Sequence, residues 1–506
     1  MRRLSALAAW LLIVPVAVAQ DGMGQAVEAR IVLASADDDP PAVVDTIALP
    51  GRQLLALALY EAGNKIFVTD DVSGNLLVID GTTHQVISSI AVGRSAYEIV
   101  IDESFGKVYV ASDGGFADGT GFISVIDADT GQLITQFDPG ALNEVSPSPG
   151  NADAFRLEGD EVHDKVYVSL FCPFCDELAV IDVASDTYTP IEANVHFGFA
   201  EGVMGVNTIA NDAFAVGTDL DKPSSGSPES WLITIDGETL QVSSTLLPET
   251  GFPELAVNEV DDKVYVFMGP LGGWSGLIIH HRPSGTFKTI EHPNREGTSP
   301  LVFNQATDRL FSGATVNGKR GIIVEGATDE LSYVRLRGDG MNAGAVRSST
   351  DNAYFAGIDG RTFIVNGAMQ RVGVMPSATG VADTDGVVTS DIDIDQARGL
   401  IYTVHDDEAP RITIIQDGVL PPPPETTITR GPSGKTTRRA VTFRFRSDQP
   451  NSTFKCKLDD RRWRKCNSPK RCRRLSFSRH VFRVKARNSF GMIDPTPVKR
   501  AFRVVP

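Results

Sequence analysis

Three groups of side chains in this sequence have the types and spacing for chemistry. "SDIDIDQ" sets Asp391, Asp393 and Asp395 at alternate positions, which on a strand share one face. Three such carboxylates repel unless water or a cation separates them, and oxygen ligands of this kind suit calcium. Asp391 and Asp393 are therefore a candidate metal pair, with a wet, metal-free wall as the plainer reading. "DDRRWRKC" gathers Arg461, Arg462, Arg464 and Lys465 between Cys456 and Cys466, a cluster whose field attracts polyanions. "FCPFC" sets Cys172 and Cys175 in C-x-x-C spacing. In a thiol oxidoreductase that spacing sits at a helix N-terminus, which lowers the thiol pKa.

Those residues must be positioned by something, and the chain repeats. "NKIFVTDDVSGNLLVIDGTTHQVISSIAVG" from Asn64 returns as "GKVYVASDGGFADGTGFISVIDADTGQLITQF" from Gly106. Runs of four to eight residues rich in Val, Ile and Tyr, broken by Gly, Asn and Asp, read as strands. An aromatic recurs in the second run of each unit, at Phe67, Tyr109, Tyr167, Phe214, Tyr265, Phe311, Tyr354 and Tyr402. The intervals of 42 to 58 residues are those of four-stranded propeller blades. Eight blades are expected, or seven if one of the weaker units, at Val203 and Ala343, is not a blade. The final unit lacks a fourth strand, and "AVVDTIALP" from Ala42 is a fourth strand without a blade. Joining the two would close the ring.

The repeat re-weighs the motifs. "FCPFC" falls in a strand-connecting loop of the third unit, so a small structural disulfide is expected there. Covalent haem is disfavoured because Asp176, not His, follows Cys175. In "IIHH", His281 takes the place of Asp80, Asp127, Asp182, Asp236, Glu325, Asn366 and Gln416, all able to hydrogen-bond the following turn. His280 and His281 point to opposite strand faces and cannot share one ion. Counting about eleven residues back from each aromatic gives one equivalent position on the innermost strand: Ala56, Glu98, Arg156, Val203, Glu254, Pro300, Ala343 and Asp391. The charged members Glu98, Arg156 and Glu254 are ligand-binding candidates at a central channel. Two long loops add His196 and Glu201, and "PSATGVADTDG" adds Asp383 and Asp385 in part of a calcium-loop pattern.

The residues "KVYV…ISVIDADTGQLI" resemble the YVTN family of β-propeller repeat proteins, over most of residues 42–418. The resemblance implies a fold far more than a function, since that family and its relatives host binders, surface proteins and a few enzymes.

After the proline linker at 419–425 the composition changes. The last 82 residues hold 23 Lys and Arg against 5 Asp and Glu, while the whole chain carries −17. The segment 426–506 resembles a bacterial immunoglobulin-like domain appended to exported proteins. That resemblance implies a small β-sandwich and a Cys456–Cys466 disulfide, leaving Cys472 free or exchanging with Cys466. It departs in charge, with Arg and Lys where Gly, Ala and Thr are expected. The basic surface would hold an anionic envelope polymer, rest on the acidic propeller, or stay solvated. Few aromatics interleave it, which argues against nucleic acid.

"MRRLSALAAWLLIVPVAVAQ" has a basic start, a short apolar stretch and an Ala17-Val18-Ala19 cleavage site. It reads as a signal peptide over 1–19 followed by a linker over 20–41. No later run is long and apolar enough to span a bilayer. The expected location is secreted, periplasmic or cell-surface, with an extracellular protein or polysaccharide as partner. Five cysteines suit an oxidising compartment.

Two functions follow. One is an exported, non-catalytic binding or cell-surface protein whose propeller presents ligand sites and whose tail attaches to the envelope. The other is a propeller enzyme, a metal-assisted lyase or lactonase using His196 with a carboxylate. No G-x-S-x-G nucleophile motif occurs, and four tryptophans are too few for a quinone-dependent dehydrogenase. The sequence leans away from an enzyme.

Overall fold

The computed structural model describes residues 39–112, 121–139, 153–171, 177–192, 203–219, 229–271, 274–292, 299–314, 320–336, 340–375, 388–406 and 409–506. Among them, eight four-stranded antiparallel sheets follow one another along the chain. Seven are plain meanders. The eighth takes its fourth strand from the far end of the chain: residues Ala42–Ala48 pair antiparallel with Arg411–Gln416. The first strand of each sheet touches that of the next, and the eighth touches the first. A closed cycle of four-stranded sheets fits a β-propeller.

The burial pattern explains the cycle. Second and third strands, such as Lys65–Asp70 and Asn75–Asp80, are buried on both faces. Fourth strands, such as Val86–Ala91, are largely exposed. A sheet with two apolar faces needs a neighbour on each side. The recurring aromatic supplies the joint. Phe67 packs among Val108 and Val110 of the second sheet. Tyr109 packs among Val166 and Val168 of the third, and Tyr167 among Ala213 and Ala215 of the fourth. Phe214, Tyr265, Phe311 and Tyr354 repeat the contact with their successors. Tyr402 closes the circle against Ile66 and Val68 of the first sheet.

The turn between first and second strands is equally regular. Its last residue is Asn64, Gly106, Asp164, Asn211, Asp262, Asp308, Asp351 or Gly399, and all eight have φ between 50° and 66°. Asn, Asp and Gly tolerate this left-handed conformation best. The first residue of the turn reaches across to a neighbouring sheet. The backbone amide of Glu61 donates to Glu103, that of Glu103 to Glu161, and that of Glu259 to Gln305. The amide of Ser348 donates to Gln396, and that of Gln396 to Glu61, which carries the belt over the ring closure. At the same turns Lys65, Lys107 and Lys165 send Nζ to backbone carbonyls of Ala128, Val183 and Gly237 in the next sheet, at 2.8, 2.7 and 2.5 Å. Glu103→Ala should cost about 1–2 kcal/mol, because Glu103 accepts from both Glu61 N and Ala62 N. A urea melt showing no loss would mean that water replaces those bonds at no cost.

Asp80, Asp127, Asp182, Asp236 and Asn366 accept amide hydrogens from the turns that follow them. His281 departs from this expectation. Its Nε2 lies 2.9 Å from Asp329 of the next sheet. His280 is stacked on Phe287 at 4.5 Å and only 9% exposed, so it is a core ring.

The tail forms a three-stranded and a five-stranded sheet, packed around Phe443, Phe482 and Phe502. Burial alternates along Arg479–Arg487: His480, Phe482, Val484 and Ala486 are buried and the residues between them are not. The tail also touches the ring of sheets. Phe490, Met492 and Leu420 pack with Tyr354 and Ile364, and Val374 N donates to Phe490 O at 3.0 Å. This contact is apolar and does not use the basic residues. Among the described residues, no helix is long and apolar enough to cross a membrane.

Candidate functional site

The first strands carry irregularities where they face the centre. Register shifts lie between Leu54 and Leu57, Ala96 and Glu98, Ala154 and Arg156, Met341 and Ala343, and Thr389 and Ile392. A bulge re-aims the side chain beside it. Each of these five bulges adjoins or contains the position reached by counting back from the aromatic.

The result is a cavity of about 380 Å3 at the centre of the ring. Seven of the eight counted positions line it: Glu98, Arg156, Val203, Glu254, Pro300, Ala343 and Asp391. Ala56 does not. It is 2% exposed, and Leu57 N beside it donates to Asp391 Oδ2 at 2.7 Å.

The cavity wall is acidic around one guanidinium. Arg156 donates to Glu98 at 2.9 Å, and Ser299 Oγ donates to Glu254 at 2.6 Å. Glu158, absent from the counted positions, also lines the wall. It lies two residues beyond Arg156 and so shares its face, by the same alternation that relates Asp393 to Asp391. Burial raises the Glu98 carboxyl against the pull of Arg156. Burial and the Glu98 charge push Glu158 up to about 8. The Glu98 side chain is 23% exposed, so it reaches the cavity while most of its surface is covered by protein.

Asp391 and Asp393 are raised to about 8 and about 7, chiefly by burial. Their oxygens are engaged: Asp391 accepts from Leu57 N and Ile392 N, and Asp393 from Leu59 N and Ile394 N. The bonds from Leu57 and Leu59 join the eighth sheet to the first. Asp395 turns to Arg398, at 2.6 Å. Among the described residues, no group of three or more His, Cys, Asp or Glu side chains is placed to hold a metal ion. His196, Glu201, Asp383, Asp385, Cys172 and Cys175 lie outside the described residues.

The second site is in the tail. Cys456 and Cys466 form a disulfide with Cα atoms 5.9 Å apart, and Cys472 is free. The bond ties a hairpin in which Thr453–Leu458 pairs with Arg464–Cys466. Arg461, Arg462, Arg464 and Lys465 line an open groove of about 580 Å3 beside it. Lys457, Lys470, Arg471 and Arg473 complete the basic lining. None of these eight is paired with a carboxylate.

The register adds further uncompensated charge. Lys455 stands directly opposite Lys465 on one side and Lys485 on the other. Arg483 stands between Lys457 and Lys499. Like charges facing each other across a sheet are unfavourable. Trp463 takes part of the strain, with Lys457 and Lys485 lying 5.3 and 5.0 Å from its ring.

No protein-family model matches the chain, and no curated protein matches it. Among solved structures, it is similar to Kuenenia stuttgartiensis hydrazine synthase, with a TM-score of 0.46 and 14% identity over 66% of this chain and 97% of that one. Such a likeness carries no argument about activity.

Proposed function

We propose that the protein is an exported, non-catalytic binding protein that attaches to an anionic envelope polymer through its tail. In this reading residues 42–418 are an eight-bladed propeller of the YVTN kind, serving as a platform for an extracellular partner. Residues 426–506 are an immunoglobulin-like anchor. The observation that carries the reading is the groove: eight Lys and Arg side chains around one open depression, none paired with a carboxylate. Crowding like charges costs free energy unless an anion or much water offsets it. The apolar Phe490 contact leaves that groove to an outside partner.

The test uses the mature chain on immobilised heparin, a stand-in for an acidic polysaccharide. Replacing Arg461, Arg462, Arg464 and Lys465 together by Ser should weaken binding roughly ten- to a hundredfold, at a few tenths to 1 kcal/mol per exposed charge. Binding by the native chain should also weaken steeply as salt rises to physiological strength. Equal elution of the two chains would overturn the reading.

A second reading, catalysis in the central cavity, is favoured by Glu158. A carboxyl raised to about 8 on a cavity wall is what a general acid requires. Turnover of an acidic polysaccharide that Glu158→Gln abolishes would support it.

A further inference from the structure

We infer that the tail binds its polyanion as an extended linear chain, an anionic polysaccharide lying across two joined basic depressions. The inference rests on the polyanion reading above and adds the form of the ligand. A second open cavity, of about 560 Å3, is lined by Arg438, Arg439, Ala440, Arg473 and Arg474. Arg473 also lines the hairpin groove of about 580 Å3. The two depressions therefore meet at one side chain. Together they form a basic track longer than either.

A compact anion would fill one depression and leave the other's charges unrelieved. A chain with repeating charges would relieve both. The far end also has an apolar surface: Phe477 is 54% exposed, with the Arg439 guanidinium 5.0 Å from its ring. An exposed ring edged by cations suits a sugar, which presents C–H faces between its acidic groups. The disulfide at the near end is compatible with an oxidising compartment, in keeping with an envelope polysaccharide as the ligand.

Arg446 and Arg487 are exposed and line neither depression. They provide a charge-matched control for diffuse attraction.

The experiment measures the affinity of the mature chain for heparin tetrasaccharide and for a long heparin oligosaccharide at one salt concentration. The native protein should bind the long oligosaccharide at least about tenfold more tightly. Arg438→Ser with Arg439→Ser should remove most of that gain, about tenfold, and leave tetrasaccharide binding unchanged. Arg446→Ser with Arg487→Ser should change both affinities by much less. Melting curves of each variant confirm that the fold is intact.

Equal affinities for the two lengths would overturn the track while leaving the groove in place. So would equal losses in the two double variants. No binding of either length would remove the polyanion reading itself. Tighter binding of single-stranded DNA than of heparin of equal length would overturn the assignment to polysaccharide.

Discussion

A chain lacking residues 42–50 is expected to melt on the order of 5 °C below the full chain. Strand Ala42–Ala48 supplies the fourth strand of the eighth sheet, paired from Ala42 opposite Gln416 to Ala48 opposite Arg411 with one bulge between Val43 and Asp45. Ile47 and Leu49 are each 5% exposed and pack with Tyr402, Ile412, Ile414 and Leu57. Two buried aliphatic side chains contribute about 1.5–3 kcal/mol each, so the loss is roughly 5 kcal/mol before backbone bonds are considered. For a chain of this size that corresponds to about 5 °C. The deletion also bares the edge of Arg411–Gln416, and a bare edge invites pairing with another chain. Calorimetry should therefore show the lower transition, and sizing should show new dimers or aggregates. Ile47→Asp keeps the chain length and should reproduce most of the thermal loss. A deletion that melts with the full chain would mean that the ring is held shut by the other junction contacts alone.

What the sequence displayed was whatever repeats within one unit. The aromatic series ending at Tyr402 marked every joint between sheets, because each of those rings must fill the same gap. Counting from it reached Glu98, Arg156, Glu254 and Asp391, because equivalent residues on equivalent strands face one channel. It failed at Ala56, where a small side chain lets Asp391 approach the first sheet's backbone. The belt of Glu61, Glu103 and Glu161 was not legible, since an exposed glutamate in a turn gives no sign of the amide it will reach in another sheet. The bulges escaped for a related reason: an inserted residue shows only against a partner strand. His281 looked like one more turn residue, and only the next sheet reveals Asp329 beside it. In the tail, alternation showed that basic side chains point outward. It did not show that Lys455 would face Lys465 and Lys485, because register depends on pairing. The Phe490 contact with the ring lay beyond any local pattern.

Stability should fall as pH rises from about 5 to 8, and Asp391 and Asp393 should carry much of the change. Burial raises Asp391 to about 8 and Asp393 to about 7, against about 3.9 for an aspartate in the unfolded chain. Between those values the folded protein holds protons that the unfolded chain has lost. Stability then declines with pH by up to about 1.4 kcal/mol per pH unit for each such proton. Glu158, raised to about 8, acts in the same direction. So does His480, whose pKa is raised by Asp459 and the Ser476 carbonyl despite burial; its contribution is present below the unfolded histidine value and is lost as pH climbs through its folded value. The opposite limb comes from Asp80, Asp127 and Asp236, held low by their turn amides, and from Asp182, held low by Ser185. Their contribution is present above the unfolded aspartate value and disappears as pH falls through their lower folded values. The two limbs place the most stable pH near 5. Asp391→Asn with Asp393→Asn keeps an acceptor at each position for Leu57 or Leu59 and removes the two titrations. The double variant should melt with a visibly flatter profile from pH 5 to 8, gaining on the native chain at the alkaline end. Glu158→Gln should flatten the profile further, while His480→Gln should remove only the part near neutrality. A native melt independent of pH over that range, or a double variant with the native slope, would show that the channel carboxylates are ionised in the folded protein. The junction between the eighth and first sheets would then be a pair of charged braces.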